Sequence, residues 1–315
     1  MSFGKYGAFF RLVRRFFTRR DLFPIGIASM AWALKALTGS VIFPIAIGQV
    51  VSYFNSGGKG IPIIALILLI FSLTVNVGVE WAFLPYYYMF LGVKINDMRK
   101  YLAGLINQAN RRQDDQVKIV VSSMVGEVEF FVSNAGNSLA TIISNSSATV
   151  FALVTILSSN LFMAGVSIIL LPFYLIVIRM YSNRVFRERM SERTIYANIV
   201  KLSGDIINGT VDDNMLEETL KKHNRSTYKL QFLERANWAS LYSLNWIGLI
   251  LLLIIGAFLV DQSILDVGSL VTIILAANAF YGAMTNIEQG LALFIQAGPA
   301  AERIDGTIAK MSQNP

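Results

Sequence analysis

Apolar positions along this chain gather into six stretches, and polar positions gather between them. The stretches fall at 22–54, 61–88, 133–158, 161–181, 239–260 and 267–294. About 20 consecutive apolar residues cross the roughly 30 Å hydrocarbon core of a bilayer. The pattern therefore predicts an all-α membrane protein with six transmembrane helices. The first, second and sixth stretches exceed what one crossing needs, which fits tilt or extension into water. Pro24, Pro44, Pro62, Pro85 and Pro172 lie in or near the stretches. Neighbouring helices in a bundle can re-satisfy the backbone groups such prolines free.

The polar links alternate in length. Those at 55–60, around Asn160 and at 261–266 are short, while 92–132 and 179–238 are long. Helical periodicity continues into the long links: Ile95, Met98, Leu102 and Leu105 recur at three- and four-residue intervals. The second helix is thus expected to run about 16 residues, or roughly 25 Å, beyond the membrane. Segments 184–201 and 216–235 read the same way. Each long link is then two helices joined far from the bilayer, near 114–123 and 207–214.

Charge orients this arrangement. Every Lys and Arg except Lys35 and Lys59 falls in the amino-terminal stretch, in the two long links or in the carboxyl-terminal tail. The positive-inside rule puts those segments in the cytoplasm, so both termini are expected there, in a plasma or inner membrane. The residues are 54% apolar and only 15% charged, against about a quarter charged in a soluble domain. The formal charge of +7 is read as contact with lipid, not nucleic acid. Absence of cysteine excludes disulfides and thiolate metal sites, and the lone histidine, His223, excludes a multi-histidine site. His223 sits among Lys221, Lys222 and Arg225 and is expected to be solvated.

Three segments follow: residues 1–21, 22–310 and 311–315. In the first, Phe9, Val13, Phe16 and Phe17 share one helical face and Arg11, Arg14 and Arg15 another. That pattern predicts a basic helix lying flat at the inner interface. The second is the six-helix domain, and the third a short tail.

Further stretches resemble a known family. Gln296-Ala297-Gly298-Pro299-Ala300-Ala301-Glu302-Arg303-Ile304 is similar to the small-residue run ending in Glu-Arg-Ile after the sixth helix of ABC exporter transmembrane domains. Arg99 with Tyr101, Leu102 and Leu105 is similar to that family's pattern below the second span. Ser123-Met124-Val125-Gly126-Glu127-Val128 looks like its stretch ending in an acidic residue and valine, with Glu127 where aspartate is commoner. With the basic amino-terminal (elbow) helix, six spans and two long links, the resemblance covers nearly the whole chain.

The resemblance implies an export subunit that pairs with an identical or homologous copy and moves an amphipathic or peptide-like substrate. It implies coupling helices that dock on an ABC ATPase at Asp114, Asp115, Gln116 and Val117, and at Gly209, Thr210, Val211, Asp212 and Asp213. The second tip is acidic where the family tends to carry a lysine and an aromatic, which points to a dedicated partner. No GxxxxGK[ST] loop occurs in the 315 residues, so nothing here cradles ATP phosphates in the P-loop manner. ATP and Mg are expected on a partner ATPase, with no cofactor bound directly. That ATPase would be a separate subunit or a domain beyond these residues.

Polar groups at membrane depth mark candidate pathways. Lys35, Asn145, Asn245 and Asn278 fall near mid-span, with Tyr281, Asn286, Glu288 and Gln289 nearer the cytoplasmic leaflet. The asparagines read equally as interhelical hydrogen-bond partners, and Lys35 as either a cavity charge or half of an ion pair. Glu80, Trp81 and Tyr86 to Tyr88 fit an interfacial belt. Two other functions share this framework. One is a proton-coupled, ATP-independent transporter using Glu80 and Glu288, and the other is a non-transporting scaffold subunit. No nucleophile–base or metal constellation argues for an integral membrane enzyme.

Overall fold

A computed structural model describes residues 7–60, 62–110, 115–207 and 213–313, and they are almost entirely helical. The order is α1 (Gly7–Phe16), α2 (Leu22–Leu37), α3 (Phe43–Asn55), α4 (Ile63–Gly78) and α5 (Leu84–Asn110), then α6 (Asp115–Ser159) and α7 (Leu161–Ile168). The chain continues through α8 (Leu171–Ile207), α9 (Asp213–Asp261) and α10 (Val267–Gln313). Six helical runs are long and apolar enough to cross a membrane: Arg19–Asn55, Ile63–Leu105, Gly126–Ser159, Leu161–Tyr181, Asn214–Asp261 and Val267–Ala309. The chain is of the integral-membrane type. Its outward residues agree, since Ile63, Ile67, Ile70, Leu73, Ile254 and Phe258 are all exposed, a surface suited to lipid.

The prolines explain where the spans bend. A proline ring lacks an N–H and collides with the carbonyl four residues earlier. In the first span Pro44 threatens the carbonyl of Ser40, and residues Thr38–Ile42 widen into a π-helical turn. The exposed carbonyls then find partners on other helices. Thr155 Oγ1 donates to Ser40 O at 3.2 Å, and Ser72 Oγ donates to Thr38 O at 3.2 Å. Asn76 Nδ2 adds a bond to Thr38 Oγ1 at 3.0 Å. Val79–Phe83 forms a second π-turn two residues before Pro85. Ahead of Pro172, α7 and α8 part at Ile169 and Leu170. The sequence-based expectation that neighbours repair proline defects holds for the first span.

The short turns are fixed by local chemistry. Gly57 and Gly60 take positive φ angles of 78° and 101° between α3 and α4, a region glycine enters without steric cost. Asn160 caps α7, its Oδ1 accepting from Met163 N at 3.0 Å. Asp266 caps α10 by accepting from Ser269 N at 3.0 Å. Both caps satisfy N–H groups that a helix start leaves open.

On the side opposite these turns the helices run long. α6, α9 and α10 contain 45, 49 and 47 residues. At 1.5 Å per residue they reach roughly 65–75 Å, about twice the hydrocarbon core. α10 packs along α6 and α3, and α8 packs along α9. Two apolar cores result. One joins Phe9, Leu12, Trp32, Tyr87, Phe131 and Ile304 from α1, α2, α5, α6 and α10. The other joins Ile156, Met163, Tyr174, Leu252, Phe280 and Tyr281. α10 contributes to both. At the short-turn end α3 and α10 approach through Gly48 and Gly268. A Cβ on Gly48 would stand 2.6 Å from Gly268 O.

α1 lies against the protein along its apolar side, with Phe9 stacked edge-on to Phe131 and Phe294. Arg11 bonds Asp305 at 2.7 Å, and Arg15 reaches the Tyr101 hydroxyl. The start of the first span is pinned by Lys94, a buried lysine 2.8 Å from Asp21.

Candidate functional site

The candidate pathway residues divide into separate groups. Lys35 and Glu80 form an ion pair between the first two spans. Counted at 1.5 Å per residue, Lys35 is about 30 Å from Asn55 and Glu80 about 26 Å from Ile63. The pair thus lies farther from the short turns than the mid-span position expected for Lys35 from the sequence, about one hydrocarbon thickness away. Glu80 sits inside the second π-turn and Trp81 beside it is exposed.

Two hydrogen-bonded groups tie α10 to its neighbours. Asn286 Nδ2 donates to Asn145 Oδ1 at 3.2 Å, linking α10 with α6. Asn145 Nδ2 donates back to Thr141 O of its own helix at 2.8 Å. Asn245 Oδ1 accepts from the Tyr174 hydroxyl and, at 3.4 Å, from Thr285 Oγ1. Tyr281 stacks on Tyr174 with ring planes 6° apart and donates to Ser167 O at 3.2 Å. Both tyrosines are fully buried. Asn278 is exposed on the far side of α10.

Glu288 is different. It is 6% exposed, and Asn237 Nδ2 donates to its Oε1 at 2.7 Å. Among the described residues it has no ion-pair partner. Glu234, one turn before Asn237, lines the same cavity but is matched by Arg189 Nη2 at 2.8 Å. The cavity holds about 140 Å³ and is lined also by Trp238, Gln289 and Gln296. Glu288 stands about 32 Å along α10 from Val267, at the long-helix boundary. Residues 234 and 237 share a helical face by their spacing. In the sequence Asn237 lies between Arg235 and Trp238, where it reads as a span flank; only its partner in α10 reveals its role.

A second cavity of about 660 Å³ opens at the short-turn end, lined by Gln49, Ser52, Tyr53, Ser159, Asp266 and Thr272 among others. Asp266 accepts from Ser52 Oγ at 2.8 Å and from the Ser269 hydroxyl. The Ser269 bond, more than the opposing effect of burial, holds its carboxyl below the usual carboxylate range.

On the long-helix side, His223 meets buried Glu192 at 3.2 Å, so it is packed, not solvated. Glu192 also faces Arg193 at 3.5 Å, and Arg193 lies 3.8 Å over the Phe130 ring, joining α8 to α6. Of the expected coupling segments, Asp115, Gln116 and Val117 begin α6 and Asp213 begins α9. Asp114, Gly209, Thr210, Val211 and Asp212 lie outside the described residues. Among the described residues no group of three or more His, Asp or Glu is placed to hold a metal ion.

Compared with protein-family models the chain finds no match, and compared with curated proteins it finds no significant relative.

Proposed function

We propose that the chain is the membrane-spanning subunit of an ATP-driven exporter of the ABC type. On this reading it forms half of a translocation pathway, in a dimer with an identical or homologous copy. Hydrolysis belongs to an ABC ATPase that these 315 residues do not contain, expected as a separate subunit. The observation that carries the reading is the length of α6, α9 and α10 beyond the hydrocarbon core. A helix continuous from the bilayer to a distant tip is a stiff lever, and displacement at its tip moves the packed spans. The ends of α5 and α6, and of α8 and α9, are the points where such a motor pushes. An amphipathic or peptide-like substrate fits the polar groups toward the long-helix boundary, set among apolar walls.

The pairing of Glu127 with Arg303 supports the same reading. It joins in space two of the stretches on which the family resemblance rests. Mass spectrometry of the intact complex, solubilised from its native membrane, tests the proposal. An ATPase bound at a stoichiometry of two chains to two ATPase domains is expected. A complex with no ATPase, and transport that survives ATP depletion but collapses with a protonophore, would replace the proposal with a proton-coupled transporter.

A further inference from the structure

We propose that the cavity around Glu288 is a binding site for a primary ammonium group. Three features define it. First, Glu288 is buried, and among the described residues the one neighbour that bonds it is the neutral Asn237. Second, Asn237 is itself 4% exposed, and with Nδ2 committed to the carboxylate its Oδ1 is left buried with no donor among the described residues. Third, the surroundings are rich in acceptors: Glu234, Gln289 and Gln296 line the same space, with the indole of Trp238 beside them. The Arg189 guanidinium is already engaged by Glu234, so among the described residues no cation faces the Glu288 carboxyl.

A carboxylate ionised in burial without a partner and a buried acceptor without a donor are both costly. One ligand answers both. An R–NH3+ head carries a positive charge for Glu288 and three N–H donors, one of which suits Asn237 Oδ1. The aromatic face of Trp238 favours the same charge. Water alone would supply the donor and leave an ionised Glu288 unanswered. A divalent ion asks for six or more oxygens and finds two carboxylates, one of them taken. At about 30 Å³ per water-sized volume, the cavity of about 140 Å³ accepts a head of four or five heavy atoms. Gln289 and Trp238 at the rim are exposed, so the rest of the ligand projects into the boundary layer.

The same chemistry has two sources, a dissolved primary amine or the headgroup of an aminophospholipid. The inference stands on the membrane fold and not on ATP coupling, and its test needs no ATPase. Absence of binding would leave the exporter proposal untouched, and absence of an ATPase would leave this site untouched.

The full chain in phosphatidylcholine nanodiscs is titrated calorimetrically with ethanolammonium chloride. Saturable binding is expected, at least tenfold weaker for Glu288→Gln and for Asn237→Ala. Tetramethylammonium, which has charge but no N–H, is expected to bind at least tenfold more weakly to the unaltered protein. In parallel, the chain is extracted from equimolar phosphatidylethanolamine and phosphatidylcholine vesicles and its retained lipids are counted by native mass spectrometry. Preferential phosphatidylethanolamine retention, lost in Glu288→Gln, assigns the site to a lipid headgroup. Ethanolammonium binding without that retention assigns it to a soluble amine. If the unaltered chain shows neither, or if sodium displaces ethanolammonium at equal concentration, the site is not an ammonium site. Because the unaltered protein alone can give that result, a variant that misfolds does not shelter the proposal.

Discussion

Arg303 Nη2 lies 3.0 and 2.9 Å from the two carboxylate oxygens of Glu127, fastening the far end of α10 to α6 across 176 positions of sequence. The two side chains are 30% and 14% exposed, so the pair is shielded from most of the screening that makes surface ion pairs nearly worthless. Arg303→Ala leaves the Glu127 carboxylate half-buried and unmatched. A loss of about 1–3 kcal/mol is expected, read as a fall in the midpoint of unfolding in mixed micelles. In a double-mutant cycle with Glu127→Gln the two losses should not add. Additive losses would mean that the contact contributes nothing.

Lys35 and Glu80 allow a sharper contrast. Removing one member of a pair near hydrocarbon strands its partner, whereas removing both does not. Lys35→Met should therefore lower the unfolding midpoint more than the double replacement Lys35→Met with Glu80→Met. If the double variant is the weaker of the two, Lys35 serves something other than Glu80.

Gly48 and Gly268 bring α3 and α10 together at the short-turn end. Gly48→Ala forces a methyl against the Gly268 carbonyl and Thr272. Overpacking of this kind costs about 1–3 kcal/mol. Gly78→Ala, where a Cβ meets nothing within 4 Å, is the matched control and should be neutral or mildly stabilising. Equal effects at the two positions would contradict the close approach.

Asp266 supplies a pH-dependent contribution. Its pKa in the folded chain is lowered from 3.8, so its stabilisation is fully present above that ordinary value and fades as pH falls through the lower folded one. Asp266→Ala should cost about 1 kcal/mol at neutral pH, as a lost helix cap does. The difference from the unaltered chain should stay flat from pH 7 to 5 and shrink only below about 4. A difference that shrinks between pH 7 and 5 would point to another group.

Because the chain has no cysteine, single cysteines report sidedness without background. Gln262→Cys should react with an impermeant maleimide added outside intact cells. Lys221→Cys, exposed on the long-helix side, should react only after permeabilisation. The reverse pattern would invert the positive-inside assignment and with it the direction in which α8 and α9 project.

The spans were legible in the sequence because each is a run of apolar residues whose length is dictated by the bilayer. The turns were legible through Asn160 and the acidic, polar 261–266 segment, whose caps act over three residues. Pairings between distant positions were not. Nothing local to Asn237 signals Glu288, and nothing local to Thr155 signals the carbonyl that Pro44 exposes at Ser40. Lys35 was legible as a charge in need of an answer, but the choice of Glu80 depends on how two bent helices lean together. His223 read as solvated because its sequence neighbours are basic, while Glu192, its partner, comes from another helix.

Each of the two π-turns holds one more residue than an ordinary turn would, and one residue is about 100° of rotation. A helical wheel drawn straight through the first or second span therefore assigns the wrong faces on one side of the bend. Deleting a single residue from 38–42 or 79–83 would bring the halves back into phase. Each half would keep the face it now presents, so a one-residue deletion inside a π-turn should disturb the bundle less than the same deletion elsewhere in the span, which would rotate one half by about 100°.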